Sequence, residues 1–195
     1  MRSRRVKYIT QAAMIAAIYV VLTLFISAFN LASGAIQIRI SEALTVLPVF
    51  TPAAIPGLFI GCFISNLISG GMLLDVIFGS LATLLGALGT YLLRKWKLAV
   101  PVPPILANTL IVPFVLAYVY HIPGGVPYFM VTVGIGQILS CGVLGMIVYR
   151  ILAKYRNVIF TPDTAPYRGI FFLFLCTTVQ TVSAPFFHPA QTCDF

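Results

Sequence analysis

Arg39 and Glu42 lie three residues apart in AIQIRISEALTVLP (residues 35–48), and between Lys7 and Arg94 the one other Asp, Glu, Lys or Arg is Asp75. A guanidinium and a carboxyl at this spacing can pair on one helix face. They can also serve a ligand, since ionisable groups in an apolar chain mark functional sites by default. Polar and aromatic side chains that could join them are Asn30, Gln37, Asn66, Gln137, Tyr118, Tyr120 and His121. Ser41 is a candidate N-cap for the apolar run that follows, with Glu42 in its first turn. Asp75, after Gly70-Gly71, reads either as an N-cap or as a ligand contact. Catalytic signatures are missing. There is no GKS/T phosphate loop, HExxH, CxxC or Ser-His-Asp set, and His121 and His188 lack metal-ligand spacing, so neither metal nor cofactor is expected in this chain. Cys62, Cys141, Cys176 and Cys193 are scattered and suggest no disulfide.

The elements that must position these residues are membrane helices. Hydrophobic residues form 60% of the 195, charged residues only 8%, and the mean hydropathy is +1.03. A soluble domain carries about 25% charged residues, so the chain is expected to be an all-α integral membrane protein. MRSRRVK leads into an apolar stretch, Tyr8–Asn30, longer than the roughly 7–15 residues of a signal-peptide core, and is read as a retained first span. Further segments are Ala53–Ser69, Asp75–Leu93, about Pro103–Tyr120 and about Pro127–Leu152. Ser41–Phe50 has only about half the length of a usual span.

Charge decides how that short segment counts. Ten of the twelve basic residues fall into three groups: Arg2, Arg4, Arg5 and Lys7; Arg94, Lys95 and Lys97; Arg150, Lys154 and Arg156. With Ser41–Phe50 as a span there are six, all three groups share one side, and both termini are cytoplasmic under the positive-inside rule. The net charge of +8 is then a matter of topology, and no nucleic-acid partner is expected. This arrangement gathers Arg39, Glu42, Asn66, Asp75, Tyr118 and Tyr120 in the outer half of one bundle, with Gln137 at mid-depth. Glycine patches GALGT and GIGQILSCGVLG suit close helix approach in lipid.

QIRISEALTVLPVFTPAAIPGLFIGCFISNL and DVIFGSLATLLGALGTYLLRK resemble the queuosine-precursor transporter (QueT) family, substrate-binding S components of energy-coupling factor (ECF) importers. The likeness runs from near the N-terminus to Arg156 and is dense from Gln37 to Lys95. It implies a six-helix S-component bundle in the prokaryotic plasma membrane. It further implies capture of a deazaguanine precursor of queuosine, and assembly with an EcfT-like transmembrane coupling subunit and two ATPase subunits that hydrolyse ATP. For such a ligand, Glu42 would accept from the N–H donors of the guanine-like edge. Arg39, Gln37, Asn66 and Gln137 would be polar partners, and Tyr118, Tyr120 and Phe129 would stack on the ring. Asp75 would meet a cationic aminomethyl group, if the ligand carries one. For His121 and the tyrosines the alternative is an interfacial belt.

Ala12, Ala13, Ala16 and Ala17 form two overlapping small-xxx-small pairs on the first helix. The resemblance implies a face that docks the coupling subunit; packing inside the bundle is the alternative. Residues 1–156 are expected to form the membrane domain. The composition breaks at 157, and 157–195 is set apart as an atypical tail, aberrant or poorly ordered, with no function assigned. Other readings are an S component for another vitamin-like ring compound, or a stand-alone membrane protein.

Overall fold

Helix α1, Arg2–Ala28, is the first of six α-helices among the described residues. The computed structural model describes residues 2–28, 39–120 and 125–155, all within one compact unit, Met1–Arg156. Asn30, Gln37, His121 and the 157–195 tail lie outside the described residues. After α1 comes a 3₁₀ helix, Ile40–Val49. Next are α2 (Ala54–Ile68), α3 (Leu73–Leu92), α4 (Val102–Tyr118) and α5 (Val126–Gln137), which runs through a π-helical stretch, Ile138–Leu144, into α6 (Gly145–Lys154). No strand occurs among the described residues. A helical segment thus stands at each expected position. Arg5–Ala28, Leu73–Leu92 and Val126–Lys154 are long and apolar enough to cross a membrane; Ile40–Val49, Ala54–Ile68 and Val102–Tyr118 are shorter apolar helices. This is a multi-pass membrane protein.

Local chemistry explains the joints. Gly70, at φ +74°, ends α2 in the left-handed region. The Gly70 N–H then bonds the Leu67 carbonyl at 3.2 Å and Gly71 N–H bonds that of Asn66 at 3.0 Å. This Schellman arrangement satisfies the last carbonyls of the helix. Pro103 and Pro104 sit in the first turn of α4, where their missing N–H groups cost no helical bond.

Small residues set the packing. A Cβ built on Gly57 would lie 2.7 Å from the Ala12 carbonyl oxygen, and one on Gly61 would lie 2.8 Å from Tyr19 Cβ and 3.0 Å from the Ala16 oxygen. Gly57 and Gly61 of α2 therefore receive the backbone of α1. Gly86 and Gly89 of α3 do the same for Pro104 and Pro103 of α4, with would-be Cβ contacts of 2.7 and 2.4 Å. The GALGT patch is a close-approach surface, as expected. Ile15, Tyr19, Leu47, Ala54, Leu58, Cys62 and Ala87 join α1, α2, α3 and the 3₁₀ helix in one buried cluster.

Two N-cap expectations are corrected. Ser41 lies inside the 3₁₀ helix, whose N-cap is Arg39, and its hydroxyl instead accepts from Thr23 at 2.8 Å. Met72 is the N-cap of α3, three positions before Asp75, the third residue of the helix, whose carboxyl is engaged elsewhere.

Candidate functional site

Glu42 is fully buried near the start of the 3₁₀ helix. The three-residue repeat of such a helix puts Glu42 and Thr45 in one file, and Thr45 Oγ1 donates to the Glu42 carbonyl at 2.6 Å. The carboxyl reaches two other helices. Tyr19 of α1 donates its hydroxyl to Oε1 at 2.6 Å, and Asn108 of α4 donates its amide to Oε2 at 3.3 Å. The same Asn108 nitrogen lies 3.4 Å from Gln137 Oε1 at the end of α5. Cys141, in the π-helical stretch, closes the group, with Sγ 3.1 Å from Gln137 Oε1 and 3.4 Å from the Glu42 carbonyl. A buried carboxyl is tolerated only where donors meet it, and here a phenol and an amide do so.

Two hydroxyls, Thr109 Oγ1 and Ser140 Oγ, are buried with no hydrogen-bond partner among the described residues. Each adjoins a member of the set in sequence: Thr109 follows Asn108 and Ser140 precedes Cys141.

A second polar group begins one turn away. The Arg39 carbonyl accepts from the Glu42 N–H at 3.0 Å, while its guanidinium donates to Asn66 Oδ1 on α2. Glu42 and Asp75 both lie within electrostatic reach of Arg39. Asn66 Nδ2 lies 3.6 Å from Cys62 Sγ, which also accepts from Thr83 at 3.3 Å. Asp75 accepts from the Tyr120 hydroxyl at 2.9 Å, and that oxygen accepts from the Met72 N–H at 3.3 Å. Glycines make the room. A Cβ on Gly79 would stand 3.0 Å from Asn66 Nδ2 and 3.7 Å from Asp75 Oδ1. One on Gly71 would stand 3.4 Å from Asp75 Oδ2.

The structure therefore joins Glu42 with Gln137, Arg39 with Asn66, and Asp75 with Tyr120. Phe129 is buried with Val112, Leu116 and Val133, and Tyr120 packs on that cluster. Tyr118 is 68% exposed and stacks on Phe114, centroids 6.3 Å apart, on the outer face of α4, apart from the polar groups. Gln37 lies outside the described residues. Tyr19, Asn108, Thr45 and Cys141 were missed as site residues. A single asparagine within LANTLIV was the available signal, because an amide inside an apolar span needs a partner there. Among the described residues no group of three or more His, Cys, Asp or Glu could hold a metal ion.

The alanines of α1 divide. Ala16 is buried, and it and Ala12 carry the backbone that Gly57 and Gly61 receive. Ala12 is half-buried, and both residues face α2 through their backbone. Ala13 and Ala17 are exposed.

A protein of Lactococcus lactis subsp. cremoris (strain MG1363) named Queuosine precursor transporter QueT is 37% identical over 98 residues, covering 50% of this chain and 57% of that relative. The match thus spans less than two thirds of the relative's length. No solved structure matches the chain. The QueT transporter family model matches residues 9–154, from the first helix to the last, and the chain belongs to that family.

Proposed function

We propose that this chain is the substrate-binding S component of an ECF-type importer in the cell membrane, and that it captures a deazaguanine precursor of queuosine. The observation that carries this reading is the buried row of Glu42, Asn108 and Gln137, drawn from three separate helical elements. A guanine-like edge presents adjacent N–H donors beside a carbonyl oxygen. A carboxyl accepts from the donors, and an amide answers the carbonyl. In this proposal Glu42 reads the donor edge and Asn108 with Gln137 reads the carbonyl. The unpartnered Thr109 and Ser140 hydroxyls supply further hydrogen bonds, since buried polar atoms without partners call for one. Phe129 and Tyr120 offer ring faces, and Arg39, Asn66 and Asp75 line the approach.

The six helical segments are six spans in this reading, with both termini cytoplasmic and the polar groups opening outward; the three basic groups on one side support it. The chain itself is non-catalytic. ATP would be hydrolysed by two ATPase subunits coupled through an EcfT-like membrane subunit, to which α1 presents Ala13 and Ala17.

Calorimetry on the purified full chain, titrated with a panel of deazaguanines, guanine and unrelated vitamins, tests the substrate. The expected result is saturable binding of a deazaguanine and none of the vitamins. Binding of a vitamin in place of every deazaguanine would overturn the assignment.

A further inference from the structure

The end of α3 and the connection to α4 have no part in the site above, yet they hold the three most exposed large apolar side chains among the described residues. They are Leu98 (85%), Leu92 (77%) and Trp96 (72%). Arg94, Lys95 and Lys97 alternate with them, and residues 94–98 are all exposed.

This is a built projection. Successive turns bond Leu93 N–H to the Gly89 carbonyl, Trp96 N–H to that of Leu93 and Ala99 N–H to that of Trp96, each at 2.9 Å. Thr90, fully buried, donates its hydroxyl to the Val100 carbonyl at 3.0 Å and clamps the base. Gly89 against Pro103 fixes the helices beneath it. The Arg94 guanidinium sits 4.5 Å above the Tyr91 ring, an arrangement that orients a cation without consuming its donors.

We propose that residues 92–98 form an anchor for anionic lipid headgroups: Trp96, Leu92 and Leu98 enter the headgroup–acyl boundary while Arg94, Lys95 and Lys97 bind lipid phosphates. Charge complementarity selects this occupant. Three cations within four residues, with no acidic residue between Asp75 and Asp163, match an anionic surface. Indole and long cationic side chains are the groups that settle at the membrane interface. Positive-inside bias alone accounts for the lysines and arginine, but it gives no reason for a tryptophan and two leucines to be the most exposed apolar groups beside them. The inference is independent of which ligand the bundle binds.

Trp96 is the only tryptophan in the chain, so tryptophan fluorescence, excited beyond the tyrosine absorption band, reports on this loop alone. The full chain is placed in phosphatidylcholine vesicles doped with brominated phosphatidylglycerol or, at equal mole fraction, brominated phosphatidylcholine. The anionic quencher is expected to act at several-fold lower mole fraction. Raising ionic strength, or the triple substitution R94Q, K95Q and K97Q, should remove the difference while leaving thermal unfolding unchanged. Equal quenching by both lipids in the wild-type chain overturns the proposal, as does a preference that excess inorganic phosphate abolishes at constant ionic strength, which would make this a free-phosphate site. Absence of quenching by either lipid also overturns it, and would leave the loop for a protein partner.

Discussion

Glu42→Gln removes one carboxyl oxygen and puts an amide NH₂ in its place, with almost no change in volume. Tyr19 still has an acceptor if the new carbonyl faces it, because its hydroxyl donates at 2.6 Å. The new NH₂ must then face Asn108 Nδ2, itself a donor 3.3 Å from the lost oxygen. Turning the Asn108 amide around restores that contact but removes its bond to Gln137 Oε1. Gln137 would have to turn in response, and Cys141 would then lose its nearest acceptor. One substitution thus reverses a chain of donors or leaves a donor–donor clash within it. In the bound state the cost is a hydrogen bond to a charged group, about 1.5–3 kcal/mol, equal to roughly ten- to 150-fold in Kd. Calorimetry of the variant against the tightest wild-type ligand measures this, and thermal unfolding of the ligand-free protein separates binding from stability. A Glu42→Gln chain that is folded and binds as tightly as wild type refutes the site.

Ala16→Leu would push an isobutyl group into the Gly61 contact and is expected to cost ~1–3 kcal/mol of stability, read as a lower unfolding temperature of the isolated protein. Ala17→Leu, on the exposed face, should leave unfolding and ligand binding unchanged but reduce co-purification with the coupling subunit; unchanged co-purification would remove Ala17 from the docking face. Gly89→Ala should also destabilise, since its Cβ would meet Pro103 Cβ at 2.4 Å; an unfolding temperature equal to wild type would contradict that packing. A cysteine beside Arg39, in a chain with Cys176 and Cys193 replaced, should react with an impermeant reagent added outside intact cells, and one beside Lys95 should not. The opposite labelling pattern would invert the topology.

The positions of the helical segments were legible because length and hydropathy reach over whole segments, and breakers such as Gly70-Gly71 act locally. Helix type was not. SEALTVLPVF reads equally well as one turn pattern or another, and the structure winds it as a 3₁₀ run with Pro48 inside it. Arg39, Glu42, Asn66 and Asp75 stood out as polar residues in an apolar chain, and the structure groups them in neighbouring clusters. Asn108 and Tyr19 did not, because an asparagine and a tyrosine inside apolar runs carry no charge to draw notice, and their value lies in contacts with residues dozens of positions away. The alanine stripes show the same limit. Ala12 with Ala16 and Ala13 with Ala17 are one step apart around a single helix, so periodicity alone cannot choose which faces inward. The choice is made by Gly57 and Gly61 on α2, which spell a GxxxG in the sequence but become the partner of Ala12 and Ala16 only once the helices are side by side.

Winding also sets how deep the central carboxyl sits. A 3₁₀ helix rises about 2.0 Å per residue against about 1.5 Å in an α-helix. The Ile40–Val49 segment therefore extends roughly 20 Å, about two thirds of a hydrocarbon core near 30 Å thick. The same residues coiled as an α-helix would draw Glu42 about 4 Å closer to the Phe50 end, more than the length of any hydrogen bond it makes. Tyr19 and Asn108 come from helices wound at the ordinary pitch, so the carboxyl meets them only while its own segment stays stretched. Depth here is a property of pitch, and a change that left every residue in place but tightened or loosened that pitch would take the carboxyl out of register with its partners.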